Sequence, residues 1–230
     1  YQKFNGSGNN MRVFGFEVDD ILYTNNLQYG NFSNAETSSY AYERELQSFF
    51  GRVNYALLDK YMFTATARMD GSSKFGENKK YGSFPSMAFA WRASEENFIA
   101  DLNAFSNLKI RLGWGKTGNQ EIPDKISLLA VGTTPSANGY FNGILTPGIT
   151  FLRTPNPDIQ WETTTQTNIG IDFGFWNNRL SGTFDYFNKV TKDVLLEIPS
   201  QAPAATQTQW QNVPDLEIVN NGIELGLDGI

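Results

Sequence analysis

The chain has 230 residues, a formal net charge of −6 and 40% hydrophobic residues, with 14% aromatics, 21 Gly and neither His nor Cys. That balance suits strands and turns over helices, leaves room for one large domain or two small ones, and gives nucleic acid no general attraction. Without His or Cys, thiol nucleophiles, iron–sulfur clusters, zinc-type sites and histidine-based triads are excluded, and no cofactor or metal is expected.

The chain opens "YQKFNGSGNN" without a start Met or signal-peptide pattern and stops in "GIELGLDGI", which reads as an unfinished strand, so both ends are expected to be cuts from something longer. A first, poorly patterned strand is expected over residues 12–22, followed by a long connection over 23–44. From there the signal is alternation with period two, the mark of strands whose faces meet different environments. "QSFFGRVNYAL" sets Phe49, Val53, Tyr55 and Leu57 against Ser48, Arg52 and Asn54, and "LDK" (58–60) reads as a tight turn. "YMFTATARMD" sets Tyr61, Phe63, Ala65, Ala67 and Met69 against Thr64, Thr66, Arg68 and Asp70. "FPSMAFAWRA" sets Met87, Phe89 and Trp91 against Ser86 and Arg92.

"NLKIRL" then puts Leu108, Ile110, Leu112 and Trp114 opposite Lys109 and Arg111, and it runs into "GWGKTGNQ". Gly113, Gly115 and Gly118 spell the G-x-G-x-x-G of dinucleotide-binding loops. Such loops follow a strand buried on both faces and open a helix, whereas this strand alternates, Gly113 and Gly115 continue its polar parity, and Pro123 arrives before any helix could develop. A phosphate loop would also need Gly where Ile110 stands, and "GSSKFGEN" has Glu77 where the phosphate-binding Lys belongs. Both nucleotide readings are set aside.

"WETTTQTNIGIDFGF" places Trp161, Ile169, Ile171, Phe173 and Phe175 against Glu162, Gln166, Asn168 and Asp172. After a "WNN" turn (176–178), "RLSGTFDYFNKVT" places Leu180, Phe184, Tyr186 and Val190 against Ser181, Thr183, Asp185 and Lys189, and a last strand is expected near 218–230. No apolar run approaches the roughly 18 residues of a membrane-spanning helix. The result is about eight long strands, antiparallel if the tight turns reverse the chain. One sheet end then receives only the two turns and the segment near 94–107, and the other receives the connections 23–44, 72–82, 118–160 and 193–217. This segregation, strands long enough to cross a bilayer at a tilt, and aromatics near strand ends (Tyr61, Trp91, Trp114, Trp161, Phe175) point to an all-β, antiparallel transmembrane barrel segment. The alternative is a soluble β-sandwich binding glycans, in which the apolar parity faces a shared core. An enzyme using paired acids such as Asp158 and Glu162 is a third class, with nothing marking the pair.

The stretch "RMDGSSKFGENKKYGSFPSMAFAWRASEENF" resembles the SusC/RagA-type branch of the TonB-dependent outer-membrane transporters. Its D-G-S-S-x-F-G loop corresponds to Asp70, Gly71, Ser72, Ser73, Phe75 and Gly76. Its G-x-F-P-S strand start corresponds to Gly82, Phe84, Pro85 and Ser86, and its W-R-x-S-x-E turn to Trp91, Arg92, Ser94 and Glu96. The likeness continues through "LKIRLGWGKTGNQEI", "PNPDIQWETTTQTNIGIDFGFWNNRLSGTFDYFNKVTKDVLL" and "VNNGIELGL", covering nearly everything from about residue 45 and only loosely what precedes it. The resemblance implies a plug domain inside a barrel of about 22 strands, with residues 1–230 as part of one such barrel and neither plug nor closing strand visible. It further implies an outer-membrane importer of oligosaccharides or peptides in a Gram-negative bacterium, energised by the TonB complex and partnered by a SusD-like surface lipoprotein.

Within that expectation Gly71 and Gly76 allow unusual backbone angles in a tight loop, Asp70 and the Ser pair cap amides, and Pro85 suits a strand start. Arg68, Arg92, Lys109, Arg111, Glu162, Asp172 and Asp185 line a wet interior, facing a plug or each other. Tyr140, Phe141, Asn142 and Trp210 are the candidate substrate contacts, because loop aromatics stack on sugars and amides hydrogen-bond to them.

Overall fold

Period-two alternation becomes long antiparallel strands in the computed structural model, which describes residues 1–17, 26–133, 137–200, 206 and 208–230. The chain divides into two compact units, Tyr1–Glu45 and Leu46–Ile230.

The first unit holds β1 (Gln2–Phe14) and the opening part of β2 (Asn31–Leu57), which are hydrogen-bonded neighbours. The strand expected over 12–22 therefore lies earlier, and the connection expected over 23–44 is already strand from Asn31; residues 18–25 lie outside the described residues. "FNGSGNN" carries almost no apolar alternation to announce a strand. It pairs instead through aromatic cover from its neighbour: the rings of Tyr42 and Tyr40 lie over Gly6 and Gly8, where a Cβ would come within 2.7 Å. The Arg44 guanidinium sits 5.0 Å from the Phe4 ring, and Lys3 pairs with Glu43 at 2.8 Å.

In the second unit the remainder of β2 is followed by β3 (Tyr61–Ser72), β4 (Tyr81–Arg92) and β5 (Asn107–Asn119). Four short strands come next, β6 (Ala130–Gly132), β7 (Gly139–Phe141), β8 (Ile144–Thr146) and β9 (Thr150–Arg153). Then come β10 (Glu162–Phe175), β11 (Leu180–Lys192), β12 (Leu195–Pro199), β13 (Thr208–Asn212) and β14 (Ile218–Gly229). The long strands pair antiparallel in the order β2, β3, β4, β5, β10, β11, β14.

Register turns the alternation into rows. Tyr55, Phe63, Phe89, Leu112, Ile169, Tyr186 and Ile223 are successive cross-strand partners over all seven strands. The adjacent row on the other face reads Thr64, Ala88, Gly113, Asn168, Phe187 and Gly222. The apolar row has no second sheet against it among the described residues: Tyr55 is 59% exposed, Ile169 45% and Ile223 69%. A sandwich would bury that row, so the two-sheet alternative does not describe this molecule.

Glycines 113, 115 and 118 are interior residues of β5, in unbroken register with β10, so no phosphate loop exists there. At one end of the sheet the connections are short. Leu58 and Asp59 turn with φ of 53° and 54°, Trp176, Asn177 and Asn178 with φ of 51°, 56° and 61°, and α1 (Asn97–Ala100) sits within the link between β4 and β5. The other end carries 73–80, 120–161 and 193–217. Within the latter two, segments read from sequence as plain loop contain the hairpins β6–β9, β7–β8 and β12–β13. The buried apolar cluster is here as well: Phe75, Phe84, Ile126, Ile159, Trp161 and Leu195, with Leu46, Ile122 and Trp210 against it. No helix among the described residues is long and apolar enough to cross a membrane, which says nothing of strands that do.

Candidate functional site

Three regions carry specific chemistry: the polar face, the loop cluster and the short-turn end.

On the polar face, Arg111 donates through Nε to Asp172 (2.9 and 3.1 Å) and through a terminal nitrogen to Asp185 (2.9 Å), while Lys109 lies 3.8 Å from Asp172. Gly170 is the register partner of both Arg111 and Asp185, and a Cβ there would strike the Asp185 carboxylate and the guanidinium. The side chains converge because β10 offers no bulk between them. Glu224 is the cross-strand partner of Asp185 on β14, adding a third carboxylate at the cluster's edge. The other charges expected on this face do not join it. Arg68 pairs with Asp70 at 2.6 Å and reaches Ser48, Arg92 pairs with Glu95, and Glu162 accepts from the Asn119 amide at 3.4 Å. Asp158, the other acid weighed for glycoside cleavage, accepts instead from the Asn78 amide at 2.8 Å.

In the loop cluster, the D-G-S-S-x-F-G segment is a clamp. Phe75 packs on Trp161 with ring centroids 4.5 Å apart, the Gly76 amide donates to the Ile159 carbonyl, and the Trp161 indole donates to the Lys80 carbonyl. Ser72 Oγ caps the Lys74 amide as expected, but Asp70 serves Arg68. The glycines act by closeness and not by unusual angles: Gly76 has φ −62°, and a Cβ on it would collide with the Pro157 carbonyl. Gly71 likewise yields its space to the Tyr81 ring. Pro85, expected at a strand start, sits inside β4 and one residue past the last β4–β5 pair, Ser86 with Gly115. With no N–H to extend that ladder, the strands part, and Phe84 packs edge-on against Trp161 at 5.3 Å beside the opening. Leu46, Thr66, Arg68, Asp70, Ser86 and Thr117 line the resulting cavity of about 380 Å³.

Several clamp residues escaped the sequence reading. Lys74 is only 8% exposed, donating to the Gln120 and Ile122 carbonyls at 3.3 and 2.9 Å. Asn212 bonds the Gln160 and Asp193 carbonyls, and Asn156 bonds the Trp210 carbonyl. The one available signal was a lysine set between the Ser pair and Phe75 in the middle of a tight turn. Among the candidate substrate contacts, Tyr140 and Phe141 stand 78% and 73% exposed on β7, with Asn142 and Gly143 turning the hairpin at φ 53° and 77°. Trp210 is elsewhere, packed on the buried cluster.

At the short-turn end the W-R-x-S-x-E motif explains itself. Glu96 accepts from the Tyr61 hydroxyl at 2.6 Å, Lys60 at 3.2 Å and the Trp91 indole at 3.4 Å. Those donors, the Tyr61 hydroxyl first and Lys60 next, hold its carboxyl below the ordinary range. Tyr61 and Trp91 lie nearly parallel, and at the same end of the sheet Phe173, Phe105 and Trp176 form a separate group of ring contacts around Phe175.

The family model described as TonB dependent receptor-like, beta-barrel matches residues 1–229. The chain belongs to that family. This receptor-like barrel chain is 39% identical over 199 residues to the TonB-dependent receptor SusC of Bacteroides thetaiotaomicron, covering 84% of the chain and 19% of SusC. It is 38% identical over 217 residues to the TonB-dependent receptor P26 of Formosa agariphila, covering 94% of the chain and 21% of P26. The structure of the RagAB peptide transporter superposes on 99% of the chain, and 24% of that chain, with TM-score 0.79 and 28% identity. The siderophore receptor PirA from Pseudomonas aeruginosa, at 16% identity and TM-score 0.51, shares the fold. The TonB-dependent barrel chain spans about a fifth of the length of the curated relatives it matches.

Proposed function

We propose that the chain forms part of the barrel wall of an outer-membrane importer of oligosaccharides or peptides in a Gram-negative bacterium, energised by the TonB complex and partnered by a SusD-like surface lipoprotein. The observation that carries the reading is the seven-strand apolar row, exposed on one face, with a row behind it that is polar or small in every strand but β11, where Phe187 stands. Only hydrocarbon makes such a row favourable, and only water or a polar filling suits the charged cluster on the other side. Transport asks no catalytic residue of the wall, which fits a chain without His or Cys. The long loops then lie on the cell's exterior, with the Tyr140–Phe141–Asn142 hairpin as the exposed substrate contact and Trp210 as part of the buried cluster that holds the other loops together. The likeness to a peptide transporter, at 28% identity and over 24% of that chain, does not choose between peptides and oligosaccharides.

The test is a deletion of the parent gene, with growth measured on oligosaccharide mixtures and on peptides as sole carbon source. Loss of growth on one nutrient, restored by the intact gene and not in a strain lacking TonB, is the expected result. Wild-type growth on every nutrient rejects the reading.

A further inference from the structure

The polar face carries a trough that runs down from the clamp. The cavity of about 380 Å³ shares Thr66, Ser86, Gly115 and Thr117 with a second of about 310 Å³, which in turn shares Thr64, Ala88, Gly113 and Asn168 with a third of about 250 Å³. The floor is deep because small residues meet across the β4–β5 seam, Ser86 opposite Gly115 and Ala88 opposite Gly113. Depth alone names no ligand. A second observation does, at the end nearest the clamp. Asp70 lines the first cavity and is only 7% exposed; its Oδ2 accepts from Arg68, and its Oδ1 is buried with no hydrogen-bond partner among the described residues. A buried carboxylate oxygen left without a donor is costly, so a donor belongs there.

We propose that this cavity is a subsite for one unit of a neutral oligosaccharide, with a ring hydroxyl donating to Asp70 Oδ1 and the rest of the glycan lying along the trough. This rests on the importer reading above and deepens it, placing the substrate against the wall itself. Arg68 already balances Asp70, so an ammonium group in the cavity would leave one positive charge out of water, whereas a hydroxyl keeps the pair neutral. Thr66, Ser86 and Thr117 add hydroxyls while Leu46 and Phe84 add an apolar side, which matches a pyranose with C–H faces and a hydroxyl edge. A peptide main chain would instead need a strand edge on which to add hydrogen bonds. Where β4 and β5 part, the Phe84 and Trp161 rings occupy the space beside Gly82 and Gly118, which closes the fork to an added strand.

The test titrates the full-length transporter, purified in detergent, with linear hexamers of α-linked glucose, β-linked glucose, xylose and mannose and with hexa-alanine, each read by calorimetry. At least one of the sugars is expected to bind at up to millimolar concentration, and hexa-alanine is not. Asp70→Asn, which removes the charged acceptor, should weaken that sugar about ten-fold, and Ser86→Leu, which fills the cavity and leaves the Arg68–Asp70 pair intact, should weaken it at least as much. Ser181→Ala, on the same face outside the trough, should change nothing. No sugar bound, sugar binding that either variant leaves equal to wild type, or binding of hexa-alanine in place of the sugars each overturns the subsite and leaves the importer reading standing. If Asp70→Asn does not fold, Ser86→Leu decides alone. A transporter that stays dispersed without detergent sinks both.

Discussion

Single residues in this wall act by the space they leave as often as by the groups they carry. Gly76 sits where a Cβ would enter the Pro157 carbonyl, so Gly76→Ala must push apart two loops that share the buried cluster. A loss of about 1–3 kcal/mol is expected by denaturant unfolding, with faster protease nicking in 73–80 and 155–161. No loss would mean the loops do not depend on this approach. Glu96 makes a pH prediction with a definite sign. Its carboxyl is held below the ordinary value of 4.5 by the Tyr61 hydroxyl and Lys60, so the stability it contributes is present above that value and lost as pH falls through the depressed one. Melting temperature should fall on acidification below that range, and Glu96→Gln should start lower and respond less there. Parallel curves would discard the assignment. The sequence marked Gly76 and Glu96 as motif members but misread the first. Glycine looks the same in a string whether it answers to a positive φ or to a neighbour's backbone, and here Gly76 answers to the neighbour.

At the level of elements, β10 is the most informative strand. Its odd positions should meet lipid and its even ones water, so single cysteines at 163 to 173 should react alternately with a water-soluble maleimide, fastest at even numbers. Uniform labelling would contradict the wall. In the same strand, Gly170→Val would separate Arg111 from Asp185, and Arg111→Met would leave Asp172 and Asp185 beside Glu224 without a guanidinium. On the order of 2 kcal/mol should be lost in the Arg111 variant, discounted for partial exposure, and an Asp172→Asn/Asp185→Asn companion change should return part of it. Full stability in Arg111→Met would show the cluster to be incidental. Strands like β10 were legible because each neighbouring pair of residues faces two different solvents. The hairpins β6–β9, β7–β8 and β12–β13 were not, being three to five residues long and mostly exposed or half-buried on both sides, so no periodicity develops. β1 escaped for a different reason, its glycines being covered by Tyr40 and Tyr42 from the partner strand.

For the whole molecule, the position of the buried cluster matters more than its size. Unit Leu46–Ile230 has its apolar core among the loops, while the sheet beneath has none of its own and leaves large side chains such as Leu225 and Val53 over 60% exposed. Nitroxides at 169 and 225 should therefore collide with lipid-phase oxygen, and one at 168 with an aqueous nickel chelate. The reverse ranking would turn the wall inside out. Topology was readable at this scale because turn length alone sorts the connections to two ends. What the sequence could not convey is that the long connections are held together by polar clamps such as Lys74 and Asn212.

The clamp also inspects the assembly of everything below it. Phe75, Ile126, Ile159 and Leu195 come from separate stretches of the connections and meet only when β3, β4, β5, β10 and β11 stand in their observed alignment. A ladder displaced by one residue would turn every side chain of a strand to the wrong medium, and one displaced by two would still satisfy lipid and water. The second error is invisible to the bilayer, yet it would carry Trp161 and Phe84 out of reach of one another. Proofreading of strand alignment thus falls to a handful of aromatic and aliphatic groups that never touch the membrane.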